Sequence, residues 1–330
     1  MFKLLKLQTL RQIRTFSKAR VVNIRNNLDT WKSKLNEAGV GDIDFNLKCI
    51  VAHVTKKNFN TVPIYEDVQM SEDEYKEFER LVECRIARMP LQYILGEWDF
   101  MDMTLKMQPT VFIPRPETEE FVRLLLEKFD NEKPFTLLEV GCGCGAISLA
   151  ILHRMKNAEC IALERSAIAT KLALENAKLQ NLDHRFSVYL HTTTKESLVP
   201  EELKDSKFDI VISNPPYVKN SEFALLQPEV KVYENSNALI GGQDGLHVAR
   251  SVCDVASNHL VPGGKLWMEL GSSHPPLVQT IINTQYEGKL QYLNGYKDQY
   301  KQERFVEIMK VNDFSRTIEE DRLQFTYTSF

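Results

Sequence analysis

Apolar positions split the chain into a stretch with helical spacing and a longer stretch in which short apolar runs alternate with amphipathic segments. Between residues 24 and 89, Leu28, Trp31 and Leu35 share one helical face, and Ser71 to Met89 continues the same period. Ser71-Glu-Asp-Glu74 opens that segment as a capping box, so residues 24 to 89 predict a small helical domain. Trp98 to Gln108 alternates apolar and polar residues and predicts a hairpin within a linker spanning residues 90 to 112. From Thr136 onward, runs at 136 to 140, 159 to 163, 186 to 190, 208 to 213, 264 to 270, 289 to 293 and 303 to 309 predict seven strands. Helical patterns separate most of them, including 120 to 129, 146 to 154, 166 to 180 and 246 to 260. That alternation is the signature of an α/β domain with a mostly parallel sheet, assigned here to residues 113 to 310, with 311 to 330 as a tail.

Composition narrows the class. The chain has 330 residues and 43% apolar content, enough for two domains with a buried core. Its first 23 residues differ in kind: Lys3, Lys6, Arg11, Arg14, Lys18 and Arg20 occur there, and no acid precedes Asp29. This predicts a mitochondrial transit peptide and a matrix location, with Arg14-Thr-Phe16-Ser17 fitting cleavage after Phe16 or slightly later, the alternative being a basic helix in a cytosolic protein. Removing residues 1 to 16 takes four of the 41 Lys and Arg, leaving 37 against 45 acids, a net charge of -8. Such a chain is a poor binder of bulk nucleic acid. No uninterrupted apolar run is long enough to span a membrane. The six cysteines fall in no CxxC pair and lie near no histidine at ligand spacing, so no metal site is expected.

Three motifs carry the chemistry. Leu137-Leu-Glu139-Val-Gly141-Cys142-Gly143-Cys144-Gly145 reads as a strand, a glycine-rich turn and the start of a helix. Glycines there permit positive φ and let a ligand approach the backbone at the carboxyl end of a strand. The spacing GxGxG departs from the GxGxxG of dinucleotide folds and is the form associated with S-adenosylmethionine. Next, Cys160-Ile-Ala-Leu-Glu164 ends a second strand in an acid suited to ribose hydroxyls, the alternative being a solvated charge before the following helix. Glu139 is a candidate for the cofactor's ammonium side, or else for hydrogen bonds with nearby backbone amides. Finally, Asn214-Pro215-Pro216-Tyr217 closes the strand Phe208 to Ser213. The prolines fix φ at about -65° and remove two backbone donors, leaving a stiff turn that presents acceptors beside an aromatic ring. Such a turn suits a planar group bearing an NH2.

The chain resembles the release-factor glutamine methyltransferases. The resemblance runs through Pro90-Leu-Gln-Tyr-Ile-Leu-Gly96, Phe100, Ile113-Pro-Arg115-Pro-Glu117-Thr-Glu119, the glycine loop and Asn214-Pro-Pro-Tyr217. It continues through Pro228-Glu229, Tyr233-Glu234, Ala238-Leu239, the loop Gly241 to Leu246 and Glu269-Leu-Gly271, covering residues 24 to 310. Amino methyltransferases of nucleic acid share the glycine loop and the Asn-Pro-Pro-Tyr turn, whereas the Ile-Pro-Arg-Pro-Glu-Thr-Glu block is more specific. The resemblance implies a seven-stranded Rossmann-like class I S-adenosylmethionine-dependent methyltransferase domain with one antiparallel strand, its last two strands pairing with the Gly264 strand. It implies methylation of the glutamine side-chain amide in the Gly-Gly-Gln loop of a class I peptide chain release factor, here a mitochondrial one. Asn214 and Pro215 would accept the two amide hydrogens, with Tyr217 against the amide plane and Pro216 in the same turn. Arg115 and Glu117 would close the pocket or hold the domains, by substrate contact or by a structural salt bridge. Glu139, Gly141, Cys142, Gly143, Gly145, Glu164 and Asn214 would hold the cofactor. The chain departs from the family pattern at Cys144, at Glu164 and at His191-Thr-Thr-Thr, where an acid near the adenine is missing. Gly241-Gly242-Gln243 belongs to the family's own loop and does not mark the chain as its own substrate. Two other classes stay open: methylation of adenine amino groups in nucleic acid, disfavoured by the acidic charge, and a non-catalytic cofactor-binding scaffold.

Overall fold

The computed structural model describes residues 21–62 and 68–312. The expected transit peptide, apart from residues 21–23, and nearly all of the expected tail lie outside the described residues. The chain divides into two compact units between Ile94 and Leu95.

In the first unit, β1 (Val21–Asn23) pairs antiparallel with β2 (Gln69–Ser71) beside α1 (Arg25–Glu37), α2 (Ile43–Thr55) and α3 (Glu72–Ile86). The capping box at Ser71 is formed: Glu74 N–H donates to Ser71 Oγ at 3.2 Å, and Ser71 N–H donates to Glu74 Oε2 at 2.7 Å. Two orphan donors of the helix start are thereby satisfied. The helices bury Leu35, Ile50, Phe78 and Leu81, and Trp31 meets Phe78 edge to face. The short α4 (Leu91–Leu95) leads out of this unit.

The second unit opens with the hairpin β3 (Glu97–Phe100) and β4 (Met103–Lys106), then α5 (Pro116–Lys128), whose first turn begins with Pro116. Proline is suited to that position because the first helical N–H has no partner within the helix. There follow β5 (Phe135–Val140), α6 (Ala146–Arg154), β6 (Ala158–Glu164), α7 (Ala167–Leu179), β7 (Phe186–Leu190) and β8 (Phe208–Ser213). Then come α8 (Pro228–Tyr233), α9 (His247–His259), β9 (Leu260–Glu269), α10 (Pro275–Gln285), β10 (Leu290–Lys297) and β11 (Glu303–Lys310). The seven strands form one sheet in the order β10-β11-β9-β8-β5-β6-β7, the seven-stranded class I methyltransferase arrangement.

The single antiparallel insertion is β11, which lies between β9 and β10. One expectation is corrected here: β10 does not pair with β9 but hydrogen-bonds to β11 at the sheet edge. A short connection joins β10 to β11, so the pair forms locally as a hairpin, and only the inner strand reaches β9. Because β5 to β7 build outward on one side and β8 and β9 on the other, the order reverses between β5 and β8. Ligands bind open α/β sheets at the carboxyl ends of the strands flanking such a reversal. The core behind this edge joins Leu138, Val211 and Met268 of the sheet to Val252, Val255 and Ile282 of α9 and α10.

Candidate active site

A cavity of about 390 Å³ opens at that switch point, lined by the loops after β5, β6, β7 and β8, the segment from Thr110 to Thr118 and residues near α8. The turn after β5 is shaped by its glycines: Gly141, Gly143 and Gly145 have φ of 80°, 57° and 87°, where a side chain is strained. Gly141 N–H donates to Leu163 O at 2.7 Å, which anchors the turn to β6. Asn176 of α7, fully buried, braces it from behind: its Nδ2 donates to Cys144 O at 3.0 Å and to Lys106 O at 3.2 Å. Lys106 N–H in turn donates to Asn176 Oδ1 at 2.8 Å, so one amide locks the glycine turn to the hairpin.

Glu164 crosses from β6 to this turn. Its Oε2 accepts from Gly143 N–H at 2.9 Å and its Oε1 from Ser166 N–H at 2.8 Å. Each oxygen keeps a lone pair, and Glu164 lines the cavity as well as bracing the loop. Glu139 is 1% exposed, and its Oε2 accepts from Ser148 N–H at 3.1 Å and from the Ser148 hydroxyl. Burial pushes its carboxyl up to about 8, so it is protonated at neutral pH. The backbone-amide reading of Glu139 is met by Ser148 N–H, and the residue is also among those lining the cavity.

Asn214, Pro215, Pro216 and Tyr217 line the same cavity. Ser213 Oγ donates to Val140 O at 2.7 Å and ties the end of β8 to the end of β5, so the two motifs share one rim. The Tyr217 ring packs on His274 with centroids 6.4 Å apart, and burial raises its phenol pKa. Beyond the turn, Val218 N–H donates to Leu239 O and Gly241 N–H to Val218 O, both at 2.9 Å. A Cβ at Gly241 would sit 2.5 Å from the carbonyl oxygens of Pro216 and Gly245, which accounts for glycine at that point of the loop.

Arg115 lines the cavity too, stacked over Phe112 at 4.7 Å and paired with the buried Glu234 at 2.6 Å. Of the two roles weighed for Arg115, a salt bridge is present, and its partner is Glu234. Of the residues singled out from the sequence, Gly145 and Glu117 do not line the cavity: Gly145 caps the start of α6, and Glu117 lies in the first turn of α5. Thr118 and Thr193 line it without having been singled out for a role, and the Thr193 hydroxyl is buried with no partner. Their signal was indirect, Thr118 within Ile-Pro-Arg-Pro-Glu-Thr-Glu and Thr193 within His191-Thr-Thr-Thr.

The arrangement fits S-adenosylmethionine. A Cβ built on Gly141 or Gly143 meets nothing within 4 Å, so a ligand has room against the backbone, and an acid with free lone pairs stands beside that space. Among the described residues, no three His, Cys, Asp or Glu side chains gather to hold a metal.

Two family models match the chain, the PrmC N-terminal domain over residues 27–96 and the methyltransferase small domain over residues 102–230. The human MTRF1L release factor glutamine methyltransferase is 33% identical over 290 residues, covering 85% of each chain. A release factor glutamine methyltransferase of Fusobacterium nucleatum is 31% identical over 300 residues, 87% of this chain and 83% of its own. Among solved structures, the hMettl16 catalytic domain in complex with the MAT2A 3'UTR hairpin 1 superposes with a TM-score of 0.50 at 13% identity, a likeness of fold alone. It covers 74% of this chain and 82% of that one.

Proposed function

The chain belongs to the release factor glutamine methyltransferase family, and from that premise we propose that it methylates the side-chain amide of the Gly-Gly-Gln glutamine in a mitochondrial class I peptide chain release factor. The observation that carries this reading is the convergence of Asn214-Pro-Pro-Tyr217 with the Gly141 to Cys144 turn and Glu164 on one cavity. The basic, acid-free segment before Asp29 supports the matrix as the place of action.

S-adenosylmethionine, when bound, supplies a methyl group on a positively charged sulfur. Glu139, Gly141, Cys142, Gly143, Gly145, Glu164 and Asn214 would hold it, Glu164 through oxygens that still have lone pairs and Gly145 by setting the turn. The substrate nitrogen is a weak nucleophile because its lone pair is delocalised into the carbonyl. Asn214 Oδ1 and Pro215 O accept its two hydrogens, hold the nitrogen in place and stabilise the positive charge that develops there. Once the nitrogen is alkylated its proton is acidic, and it leaves along the hydrogen bond to Asn214 Oδ1 or to water. Tyr217 covers the amide plane and excludes solvent from one side.

The test incubates the chain from Ser17 onward with labelled S-adenosylmethionine and a mitochondrial release factor, beside a factor whose Gly-Gly-Gln is changed to Gly-Gly-Ala. Label on the wild-type factor alone is the expected result. Label on neither factor, with the cofactor bound by calorimetry, overturns the substrate assignment.

A further inference from the structure

An asparagine amide has two ends of nearly equal shape and opposite polarity. Only one orientation of Asn214 accepts hydrogen bonds from a substrate NH2, and the turn that carries Asn214 does not itself choose between them. The choice is made behind the cavity wall. Ser213 of β8 is in parallel register with Met268 of β9, so Asn214, just past the end of β8, lies beside Glu269, the last residue of β9. Thr118, in the first turn of α5, closes the group: Asn214 Nδ2 donates to Thr118 Oγ1 at 3.3 Å. Thr118 and Asn214 both lie within hydrogen-bonding reach of the Glu269 carboxyl, although its Oε2 has no partner in well-aligned geometry. Glu269 is 1% exposed and Thr118 2% exposed, so water does not substitute for these partners.

A carboxylate only accepts. With Glu269 ionised, the Thr118 hydroxyl must donate to it, and the Thr118 oxygen is then free to accept only from an N–H of Asn214. The chain of bonds has one direction, and it ends with Asn214 Oδ1 turned to the cavity. We propose that Glu269 is a positioning residue for methyl transfer, acting through Thr118 to hold the Asn214 amide with its oxygen toward the substrate nitrogen. The inference rests on the amide-methylation reading above. A buried, incompletely paired carboxyl weakens the fold, so stability gives no reason for an acid at this place.

Protonation would turn this acceptor into a donor and remove the single direction of the chain. Burial pushes the Glu269 carboxyl up to about 7, with Glu117 of α5 adding to the rise and Arg304 of β11, Thr118 and Asn214 opposing it. Tyr217 also faces the carboxyl, and Arg304 is shared with Asp298 at 2.7 Å. Amide orientation, and with it turnover, is therefore expected to rise with pH through this range.

The decisive experiment has two readouts on the whole chain. In the first, kcat and KM for methyl transfer to a release factor are measured from pH 5.5 to 9 for wild type, Glu269→Gln and Thr118→Val. Wild-type kcat should rise about tenfold per pH unit on its acidic limb, as expected for one required ionisation. Both variants should lose kcat by on the order of 10- to 100-fold, the scale of a misplaced reacting group, and Glu269→Gln should lose the acidic limb. A Glu269→Gln enzyme with wild-type kcat and the same limb overturns the proposal; the limb would then belong to another carboxyl such as Glu139. The second readout needs no substrate. In chain labelled at asparagine with nitrogen-15, the Asn214 side-chain amide, assigned with Asn214→Ala, should titrate with Glu269 in wild type and stop titrating in Glu269→Gln. A titrating amide in a chain that leaves release factors unlabelled would uphold the positioning and sink the substrate reading. Labelled factor with an amide indifferent to Glu269 would do the reverse.

Discussion

Glu139→Gln isolates one buried proton. Glu139 sits in β5 between Ala162 of β6 and Ile212 of β8, away from water, and its carboxyl accepts from the Ser148 N–H and hydroxyl. Burial moves its pKa from an ordinary 4.5 to about 8, so across neutral pH the folded chain holds a proton that the unfolded chain has released. A raised folded pKa gives stability that is complete below the unfolded value and is lost as pH rises through the folded one. The interval is roughly 3.5 pH units at about 1.4 kcal/mol each, so ionisation removes on the order of 5 kcal/mol by pH 8. Glutamine keeps the shape, still accepts from Ser148 and never ionises. The stability gap between variant and wild type should therefore widen with pH by about 1.4 kcal/mol per unit, one proton's worth. Urea unfolding at pH 5.5 and 7.5, without added cofactor, should show the gap growing by about 2.7 kcal/mol. Glu269 is common to both proteins and cancels. A gap that grows by less than about 1.4 kcal/mol over those two pH units, half a proton, would mean that Glu139 is ionised in the fold and would refute the reasoning.

Asn214→Ala should lower kcat by roughly 30- to 1000-fold, about 2 to 4 kcal/mol for an oriented polar group at the transition state, read by the labelled-methyl assay. Asn176→Ala strips partners from Cys144 O and from both backbone groups of Lys106, so about 1 to 3 kcal/mol of stability should go in denaturation, with weaker cofactor binding by calorimetry. Gly241→Ala drives a Cβ to 2.5 Å from two backbone oxygens, which cannot swing aside, and should cost about 1 to 3 kcal/mol in thermal unfolding and disturb the Asn-Pro-Pro-Tyr turn. Arg115→Ala leaves the buried Glu234 without its cation and should destabilise by about 3 kcal/mol, a loss that Arg115→Ala with Glu234→Gln should partly recover.

What could be read along the chain was whatever local pattern encodes. All seven sheet strands follow from apolar runs, and β7 and β8 begin and end where the runs do, because a strand's burial is written in its own residues. The Ser71 capping box, the glycine turn and the stiff Asn-Pro-Pro-Tyr turn are likewise local, each set by the conformations its residues allow. Partners across the fold are another matter. Periodicity marks β10 as a strand but not that it stands outside β11, since edge order depends on which partner each strand meets across the fold. Nothing near Arg115 in sequence names Glu234, and nothing near Asn214 names Thr118 or Glu269. These contacts come from the register of β8 against β9 and the seating of α5 beside them, and a one-residue slip would undo them. The sequence thus carries the groups that do the chemistry, while their orientation and protonation arise only when distant segments bury one another and exclude water.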